Sequence, residues 1–323
     1  MRKLMLVLLF LISGCGRVIN RNNPYPSYCT EEPGGVWGQE HYTDVAESPN
    51  GEITAFVYSG NPYGNPPGRD TIGIYFYHEE QDSFVPFLTG LIFSGFPLPG
   101  GLDFSPDGEW LVFSWGKQIW KVKVNGDSLT QLTFSGENFY PRWSPDGRKI
   151  VFDSNKDAPH GENVIWMMNS DGSGLKRLDE WGMGERREPS FNIYGDKVLH
   201  IRWGITGGPA IALMDTSGSN VEIILKARDI NAIEFETPNF SPDGSKILFV
   251  AQRPGEGPMV WVMDADGSNP VSLAWGKYGI WSKDGRKILY TRLEKGDIWI
   301  MDSNGCNKTP FIGDFNFLEG GVR

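Results

Sequence analysis

The chain has 323 residues and a formal net charge of −10, and its 41 glycines and 22 prolines accompany 13% aromatic residues. The acidic balance argues against a nucleic-acid partner, which requires a basic surface. Many turn-forming residues combined with many aromatics favour short strands packed face to face, which is typical of an all-β protein.

The chain begins with the pattern of a bacterial export signal. Arg2 and Lys3 precede an apolar run over 4–12, and a Leu-Ile-Ser-Gly-Cys segment ends at Cys15. A positive start, a short apolar run and small residues before the cleavage site define a secretory signal. The run is too short to cross a bilayer as a helix. The segment also resembles a lipobox, which predicts lipidation of Cys15, whereas the alternative is an ordinary signal with a chance cysteine.

One phrase then recurs along the chain: an aromatic residue, Ser-Pro-Asp-Gly, and a short run of β-branched and aromatic residues. The copies are roughly 40 to 57 residues apart, which is the length of one propeller blade. Two copies are degenerate, and six copies predict six blades. The first residues of the six turns are Ser48, Ser105, Ser144, Asn192, Ser241 and Ser282.

Each repeat contains four predicted strands. The aromatic residue ends the first strand, and Pro with Asp-Gly favours a tight hairpin turn. The second strand is typified by 149–152, the third by 165–168 and the short fourth by 176–178. The third strands are apolar on both faces, as expected where each sheet is covered on both sides. The sequence therefore predicts a six-bladed β-propeller of four-stranded antiparallel blades, with an open solenoid as the competing architecture.

These phrases resemble the WD40-like Pro-Asp repeat of TolB propellers. The resemblance implies a fold that binds other proteins, since the family's soluble periplasmic member binds the peptidoglycan-associated lipoprotein. That member carries an α/β domain before its propeller, and 16–44 is too short for one. We predict four segments: a lipoprotein signal peptide over 1–14, an anchor and linker over 15–44, a TolB-like propeller over 45–313 and a tail over 314–323.

No catalytic motif accompanies the repeat. The sequence lacks a Gly-x-Ser-x-Gly nucleophile elbow, and its four histidines show no metal-ligand spacing. His200 occupies the position of a core aromatic residue in the repeat, so we predict a buried ring. We therefore expect no enzyme activity, no metal and no cofactor. The alternative is a polysaccharide lyase or hydrolase at the channel mouth, for which Glu188, Glu236 and His160 are the weak candidates.

Length variation predicts the binding surface. The turns within the repeats are short, so the variation falls in the second-to-third-strand and blade-to-blade connections, which emerge on one face of an antiparallel blade. Variable loops on a rigid scaffold often bind partners, and Arg with aromatic residues is typical of contact hot spots. We expect an envelope protein or glycan partner, a monomer, and membrane attachment only through the anchor. The predicted face contains Tyr63, Arg69, His160, Trp181, Arg186, Arg187, Glu188, Arg202, Trp203 and Arg253.

Two cysteines remain besides Cys15. Cys29 and Cys306 lie near opposite ends of the mature chain, in a compartment that permits disulfides. The ends of a ring-shaped fold meet, so a bridge between these cysteines would close the ring. It would contribute about 3–5 kcal/mol in the chain-entropy model. Two unpaired thiols are the alternative.

Overall fold

The computed structural model describes residues 41–59, 73–81, 83–89, 99–179, 184–204, 208–292 and 297–312. The described residues form 24 strands in six four-stranded antiparallel sheets, and each sheet consists of four consecutive strands. This confirms the predicted fold class, a six-bladed β-propeller. Short 3₁₀ turns lie at Glu79–Gln81 and Ala227–Ile230.

The strands of the six blades have the following bounds. Blade 1 has β1 (His41–Glu47), β2 (Ile53–Ser59), β3 (Gly73–His78) and β4 (Ser83–Thr89); blade 2 has β5 (Gly100–Phe104), β6 (Trp110–Trp115), β7 (Gln118–Lys123) and β8 (Thr130–Gln131). Blade 3 has β9 (Asn138–Trp143), β10 (Lys149–Ser154), β11 (Val164–Asn169) and β12 (Lys176–Arg177); blade 4 has β13 (Arg186–Phe191), β14 (Lys197–Arg202), β15 (Ala210–Asp215) and β16 (Glu222–Lys226). Blade 5 has β17 (Glu234–Phe240), β18 (Lys246–Gln252), β19 (Pro258–Asp264) and β20 (Val271–Trp275); blade 6 has β21 (Lys277–Trp281), β22 (Lys287–Thr291), β23 (Ile298–Asp302) and β24 (Thr309–Ile312).

The Ser-Pro-Asp-Gly phrase forms the turn between the first and second strands. In blade 3 the Ser144 hydroxyl donates to the Asp146 carboxylate at 2.6 Å and accepts the Lys149 backbone N–H at 2.9 Å. The degenerate copy in blade 4 preserves the second bond, because the Asn192 side-chain oxygen accepts the Lys197 N–H at 3.1 Å. The motif therefore fixes the same hairpin in each blade, including the blade where its serine is replaced.

Apolar side chains hold neighbouring blades together. The second strands are almost entirely buried, as in β10 and β18, because each sheet is covered by a neighbour on both sides. Six apolar clusters fill the interfaces, one between each pair of adjacent blades. His200 is completely buried, which confirms the predicted buried ring. The hydrophobic core is thus a ring of interfaces around a central channel.

Packing between blades 1 and 6 closes the ring, and in the described part of the chain each of these two sheets consists of four consecutive strands. Val45 and Phe56 of blade 1 pack in one cluster with Leu289 of blade 6, and the Glu47 carboxylate accepts the Lys283 backbone N–H. Cys306 is disulfide-bonded, but its partner lies outside the described residues.

The predicted membrane anchor lies outside the described ranges, as do Cys15 and Cys29. Within those ranges, no helix is both long enough and apolar enough to cross a membrane. The pairing of Cys306 with Cys29 and the lipidation of Cys15 stay predictions.

Candidate functional site

The first strand of each blade lines the central channel and contains an irregularity at one repeated position. This position lies four residues before the first residue of each Ser-Pro-Asp-Gly turn, and the pairing with the second strand shifts register there. Such a bulge re-aims a side chain and often lies next to a functional site. The six residues, which we call the channel ring, are Asp44, Gly101, Tyr140, Glu188, Thr237 and Tyr278.

All six residues of the channel ring have a left-handed backbone. Their φ angles lie between 49° at Thr237 and 79° at Asp44. Glycine adopts this conformation without steric cost, but only Gly101 of the six is a glycine. The other five each carry a strain of about 1–3 kcal/mol. Five residues with a strained backbone conformation therefore surround the channel.

The channel ring separates two cavities. One, of about 430 Å³, opens between the Ser-Pro-Asp-Gly turns and is lined by Pro106, Pro145 and Pro242. We call it the turn-side cavity. The other, of about 620 Å³, opens among the long connections and is lined by Pro99 and Gly161. We call it the loop-side cavity. Four members of the channel ring line both cavities and form the waist of the channel: Asp44, Tyr140, Glu188 and Tyr278.

Carboxylates of the channel connect each blade to the next. Asp44 accepts the backbone N–H groups of Gly101 and of Leu102, the latter at 3.1 Å. Asp103 of the next blade accepts the Trp143 N–H at 2.7 Å. These bonds cross blade interfaces, so the carboxylates have a structural role that the sequence alone did not reveal.

A third carboxylate, Glu188, repeats this arrangement on the opposite side of the channel. It accepts the Thr237 N–H of blade 5. Burial, with Glu236 and Asp153 nearby, raises the pKa of Glu188 to about 8. Glu188 and burial in turn raise the pKa of Tyr140. The waist of the channel is therefore an environment that disfavours further negative charge.

Desolvation perturbs the other channel acids in the same direction. Burial raises the pKa of Asp103 to about 6, although the Arg142 guanidinium opposes the shift. Burial also raises the pKa of Asp44, again against the influence of Arg142. Arg142 lies in the turn-side cavity and donates to the Leu102 carbonyl at 3.2 Å. A cation in that cavity therefore partly compensates its acids.

Asp153 differs from the other channel acids. It lies on β10, is 1% exposed and lines the loop-side cavity. Its Oδ2 accepts the Asn163 side-chain N–H at 2.9 Å, whereas its Oδ1 has no hydrogen-bond partner among the described residues. Burial raises the pKa of Asp153 to about 8. An unpartnered carboxylate oxygen at this depth costs free energy, so the position invites a functional explanation.

Only part of the predicted binding face reaches the channel. Arg187 lines the loop-side cavity and pairs with Glu185, and Glu188 belongs to the channel ring. His160 lies exposed in the connection between β10 and β11. Tyr63, Arg69 and Trp181 lie outside the described residues. The structure thus brings together two of the predicted residues and adds several that sequence reasoning missed.

The expectation that Arg186 offers a contact surface is wrong. Its side chain is completely buried and forms an ion pair with Asp179 at 2.6 Å. Arg202 lies opposite Arg186 in the strand pairing, in a half-buried position. The physical reason is that the first strand of blade 4 turns this arginine into the sheet, where it supports the preceding connection.

Two further predicted contact residues also pack against the scaffold. Trp203 is half-buried against the cluster between blades 4 and 5. Arg253 donates to the Ile230 carbonyl at 3.0 Å, and its guanidinium lies 4.7 Å from the centre of the Trp261 ring. These side chains therefore stabilise the loops that frame the cavity.

Neither a histidine cluster nor a metal centre emerges from the described residues. Among them, no three His, Cys, Asp or Glu side chains are arranged to hold a metal ion. Of the described histidines, His200 is buried between strands and His160 is exposed at the rim. The charged side chains that line the two described cavities are consequently carboxylates, two arginines and Lys283.

No family model matches the chain, but shorter segments match known proteins. An uncharacterized protein of Agrobacterium fabrum is 33% identical over 115 residues, which is 32% of this chain and 39% of that protein. The Tol-Pal system protein TolB of Geobacter sulfurreducens is 40% identical over 63 residues, which is 20% of this chain and 14% of that protein. The matched segments thus span well under half of these relatives.

Solved structures resemble the chain over a larger share of its length. A putative TolB from Agrobacterium tumefaciens has a TM-score of 0.60 and 17% identity, and the match covers 72% of this chain and 84% of that one. TolB from Acinetobacter baumannii has a TM-score of 0.57 and 20% identity, covering 73% and 54%. Oligogalacturonate lyase from Vibrio parahaemolyticus has a TM-score of 0.56 and 12% identity, covering 85% and 78%. The chain has the fold of a TolB-like six-bladed β-propeller.

Proposed function

We propose that this protein is a lipid-anchored, non-catalytic scaffold of the bacterial cell envelope that binds a protein partner. The partner binds to the face of the disc that carries the long connections, which we call the loop face. The main support for this proposal is the loop-side cavity, which opens among the variable connections of a rigid six-bladed disc. Variable loops on a rigid scaffold are a common location for binding sites. The likeness to TolB propellers supports a protein-binding scaffold in general.

The bonding of the channel carboxylates also supports binding rather than catalysis. Asp44, Asp103 and Glu188 each accept a backbone N–H of the neighbouring blade. A general acid or base must be within hydrogen-bond reach of the proton it transfers. Carboxylates already engaged with backbone donors have fewer lone pairs to offer a substrate, so their main role is to join the blades.

The test is site-specific photocrosslinking in cells of the source bacterium. A photoreactive amino acid replaces His160 at the exposed rim of the loop face, and in a matched control it replaces Tyr194, which is 80% exposed in the turn between β13 and β14. Because strand direction alternates, these two positions lie on opposite faces of the disc. We expect one defined protein adduct at position 160 and none at position 194.

Equal adducts at both positions, or none at position 160, would contradict a protein-binding loop face. A glycan partner would leave position 160 without a protein adduct, and an array of envelope glycans probed with the purified full-length chain would then identify it. Binding of the Tyr194 variant to the same array shows that the replacement leaves the fold intact.

A lyase or hydrolase acting on a polysaccharide is the second candidate function. It is favoured by the raised pKa values of Asp103, about 6, and Glu188, about 8, since perturbed acids cluster at catalytic sites. One similar fold belongs to oligogalacturonate lyase. Depolymerisation of a polysaccharide panel that Glu188→Gln abolishes, while thermal stability is maintained, would establish catalysis and overturn the scaffold proposal.

The envelope location and the disulfide form part of this proposal. Cys15→Ser is expected to move the protein from the membrane fraction to the soluble fraction, because one acyl-bearing cysteine supplies the anchor. Mass mapping under non-reducing conditions is expected to yield a peptide pair joining Cys29 and Cys306. Continued membrane association of the Cys15→Ser variant would refute the lipid anchor.

A further inference from the structure

The loop-side cavity is rich in carboxyl groups. Among the described residues, five carboxyl groups line it together with one guanidinium, that of Arg187, which is itself paired with Glu185. The turn-side cavity has a more even lining, with Arg142 and Lys283 among its acids. A cation that enters such a cleft favours the ionised form of the carboxyl groups, and the two opposite charges then attract each other. The five acids of the loop-side cavity are Asp44, Glu137, Asp153, Glu185 and Glu188.

Asp153 supplies independent support for a ligand. The corresponding residue of the other blades is apolar or carries a small hydroxyl group, as with Val57, Val250 and Thr291. The fold therefore does not require a carboxylate there. Asp153 nevertheless places a carboxyl group in a position that is 99% buried, and no described residue donates a hydrogen bond to its Oδ1. A cationic group entering the cavity would supply that donor.

Aromatic side chains complete the lining. Phe139, Tyr140 and Tyr278 lie in the same cavity as Asp153, and an aromatic face attracts a cation through its quadrupole. Among the described residues, the acids are not grouped as metal ligands. Carboxyl groups distributed around a cavity of about 620 Å³ suit an extended organic cation better than a compact inorganic ion.

We infer that the loop-side cavity binds an organic cation, an alkylammonium or guanidinium group, with the Asp153 carboxyl group as its principal hydrogen-bond partner. The group could come from a basic side chain of a protein partner or from a free polyamine. The first source rests on the proposed function, whereas the second does not require it.

Calorimetric titration of the purified full-length lipoprotein tests this inference. The probes are 1,5-diaminopentane, its uncharged counterpart 1,5-pentanediol, calcium chloride, and the peptide Gly-Lys-Gly-Lys-Gly beside the same peptide with acetylated lysines. Saturable binding is expected of the diamine and of the unmodified peptide, but not of their uncharged counterparts. Binding of the diamine alone identifies a free amine as the source, and binding of the peptide alone identifies a basic side chain.

Two isosteric variants locate the site. Asp153→Asn is expected to weaken binding of the cation at least about tenfold, because a charge-assisted hydrogen bond is lost. Asp103→Asn neutralises an acid of the turn-side cavity and is expected to change binding less than about twofold. Unchanged thermal unfolding shows that both variants are folded.

The inference fails if neither cation binds, if Asp153→Asn binds as tightly as the parent, or if calcium binds and the diamine cannot displace it. These results are distinct from a failure of the scaffold proposal. An adduct at position 160, together with no binding of either cation to the parent protein, would retain the protein partner and overturn the cation site. Binding of the diamine without any adduct at position 160 would support the cation site and overturn the protein-binding scaffold.

Discussion

We call the face of the disc that carries the Ser-Pro-Asp-Gly turns the turn face. The turn face and the channel both contain acidic residues, but the pKa values of these residues are shifted in opposite directions. In the turns, Asp146 and Asp243 accept a serine hydroxyl, which lowers the pKa of both and brings that of Asp243 to about 2. In the channel, burial raises the pKa of Asp153 and of Glu188 to about 8. The turn carboxylates are therefore arranged to be charged, whereas the channel carboxylates are held at a cost in free energy.

The two regions also differ in how closely their sequence repeats. The turns use one residue pattern for one backbone conformation, and blade 4 substitutes Asn192 without losing the bond to Lys197. The channel ring also repeats one backbone conformation, but with three different chemical types of side chain among its strained members. Repetition in sequence thus marks the scaffold, and variation at a fixed backbone position marks the candidate site.

The largest expected effect concerns the turn face. Gly218, with φ of 90°, lies in the turn between the third and fourth strands of blade 4, and a Cβ there would overlap the Leu178 carbonyl oxygen of blade 3. Gly218→Ala is therefore expected to reduce the free energy of unfolding by about 3 kcal/mol or more, by combining backbone strain with a steric clash. Urea denaturation followed by tryptophan fluorescence measures the loss.

Gly126 is the matched control for this substitution. It occupies the corresponding turn of blade 2 with φ of 87°, and nothing lies within 4 Å of the position that a Cβ would occupy. Gly126→Ala retains the strain without the clash and is expected to cost about 1 kcal/mol. Equal losses in the two variants would show that the approach of Gly218 to blade 3 is unimportant.

The second-largest expected effect concerns the channel, and here the free energy of unfolding is expected to rise rather than fall. Asp153→Val places at this position the residue that blades 1 and 5 already carry, Val57 and Val250. It removes a buried carboxylate with an unpartnered oxygen, so the free energy of unfolding is expected to rise by about 1–3 kcal/mol. The same denaturation experiment measures the gain, and binding of the diamine should be lost.

The reverse exchange is the control for that prediction. Val250→Asp puts a carboxylate into the equivalent, 1% exposed position of blade 5 and is expected to cost about 3–5 kcal/mol. If Asp153→Val destabilises the protein instead, then Asp153 is a structural residue and the contrast between scaffold and site does not hold at this position.

The sequence predicted the fold well because the fold depends on its repeated elements. Ser-Pro-Asp-Gly, the apolar second and third strands, and the aromatic slot occupied by His200 each have a direct counterpart in the structure. Local turn chemistry and burial on both faces are properties of neighbouring residues, so they can be recognised without long-range information.

The candidate site was predicted poorly for a physical reason. Asp44, Tyr140 and Tyr278 meet only after the ring closes, and their bulges share no residue pattern that would mark them in the sequence. The usable signal was the fixed offset of four residues before each turn, where charged and aromatic residues appear. Arg186 shows the converse error, since an arginine predicted in a loop is buried by an ion pair with Asp179.

A third effect follows from the pKa of Asp153. Its value of about 8 in the folded state exceeds the 3.8 of an ordinary aspartate, so between those values the folded protein retains a proton that the unfolded chain has lost. The free energy of unfolding therefore falls as the pH rises through this window and levels off above it. At Asp153 the nearby Glu185 carboxylate raises the pKa in the same direction as burial, whereas Asn163 and Arg187 oppose the shift.

Asp153→Asn removes one of the protons responsible for this dependence. Its free energy of unfolding should decline less between pH 6 and pH 8 than that of the parent, by about 1–2 kcal/mol in total. Urea denaturation at pH 6, 7, 8 and 9 measures the slopes. Asp146→Asn is the control from the turn face, because the pKa of Asp146 is lowered and its titration lies on the acidic side of this range. Parallel slopes for the parent and Asp153→Asn would contradict the raised pKa.

The smallest expected effect tests the uniformity of the scaffold. Ser144→Ala and Ser241→Ala each remove a hydroxyl that accepts a backbone N–H at 2.9 Å and donates to an aspartate at 2.6 Å. Each variant should lose about 1 kcal/mol, and because both turns share these two short bonds, the losses should agree within about 0.5 kcal/mol. Unequal losses measured by urea denaturation would mean that the blades differ in stability even where their sequence repeats. Only if the losses agree can the larger and opposite effects at Asp153 be assigned to the site itself rather than to the blade that carries it.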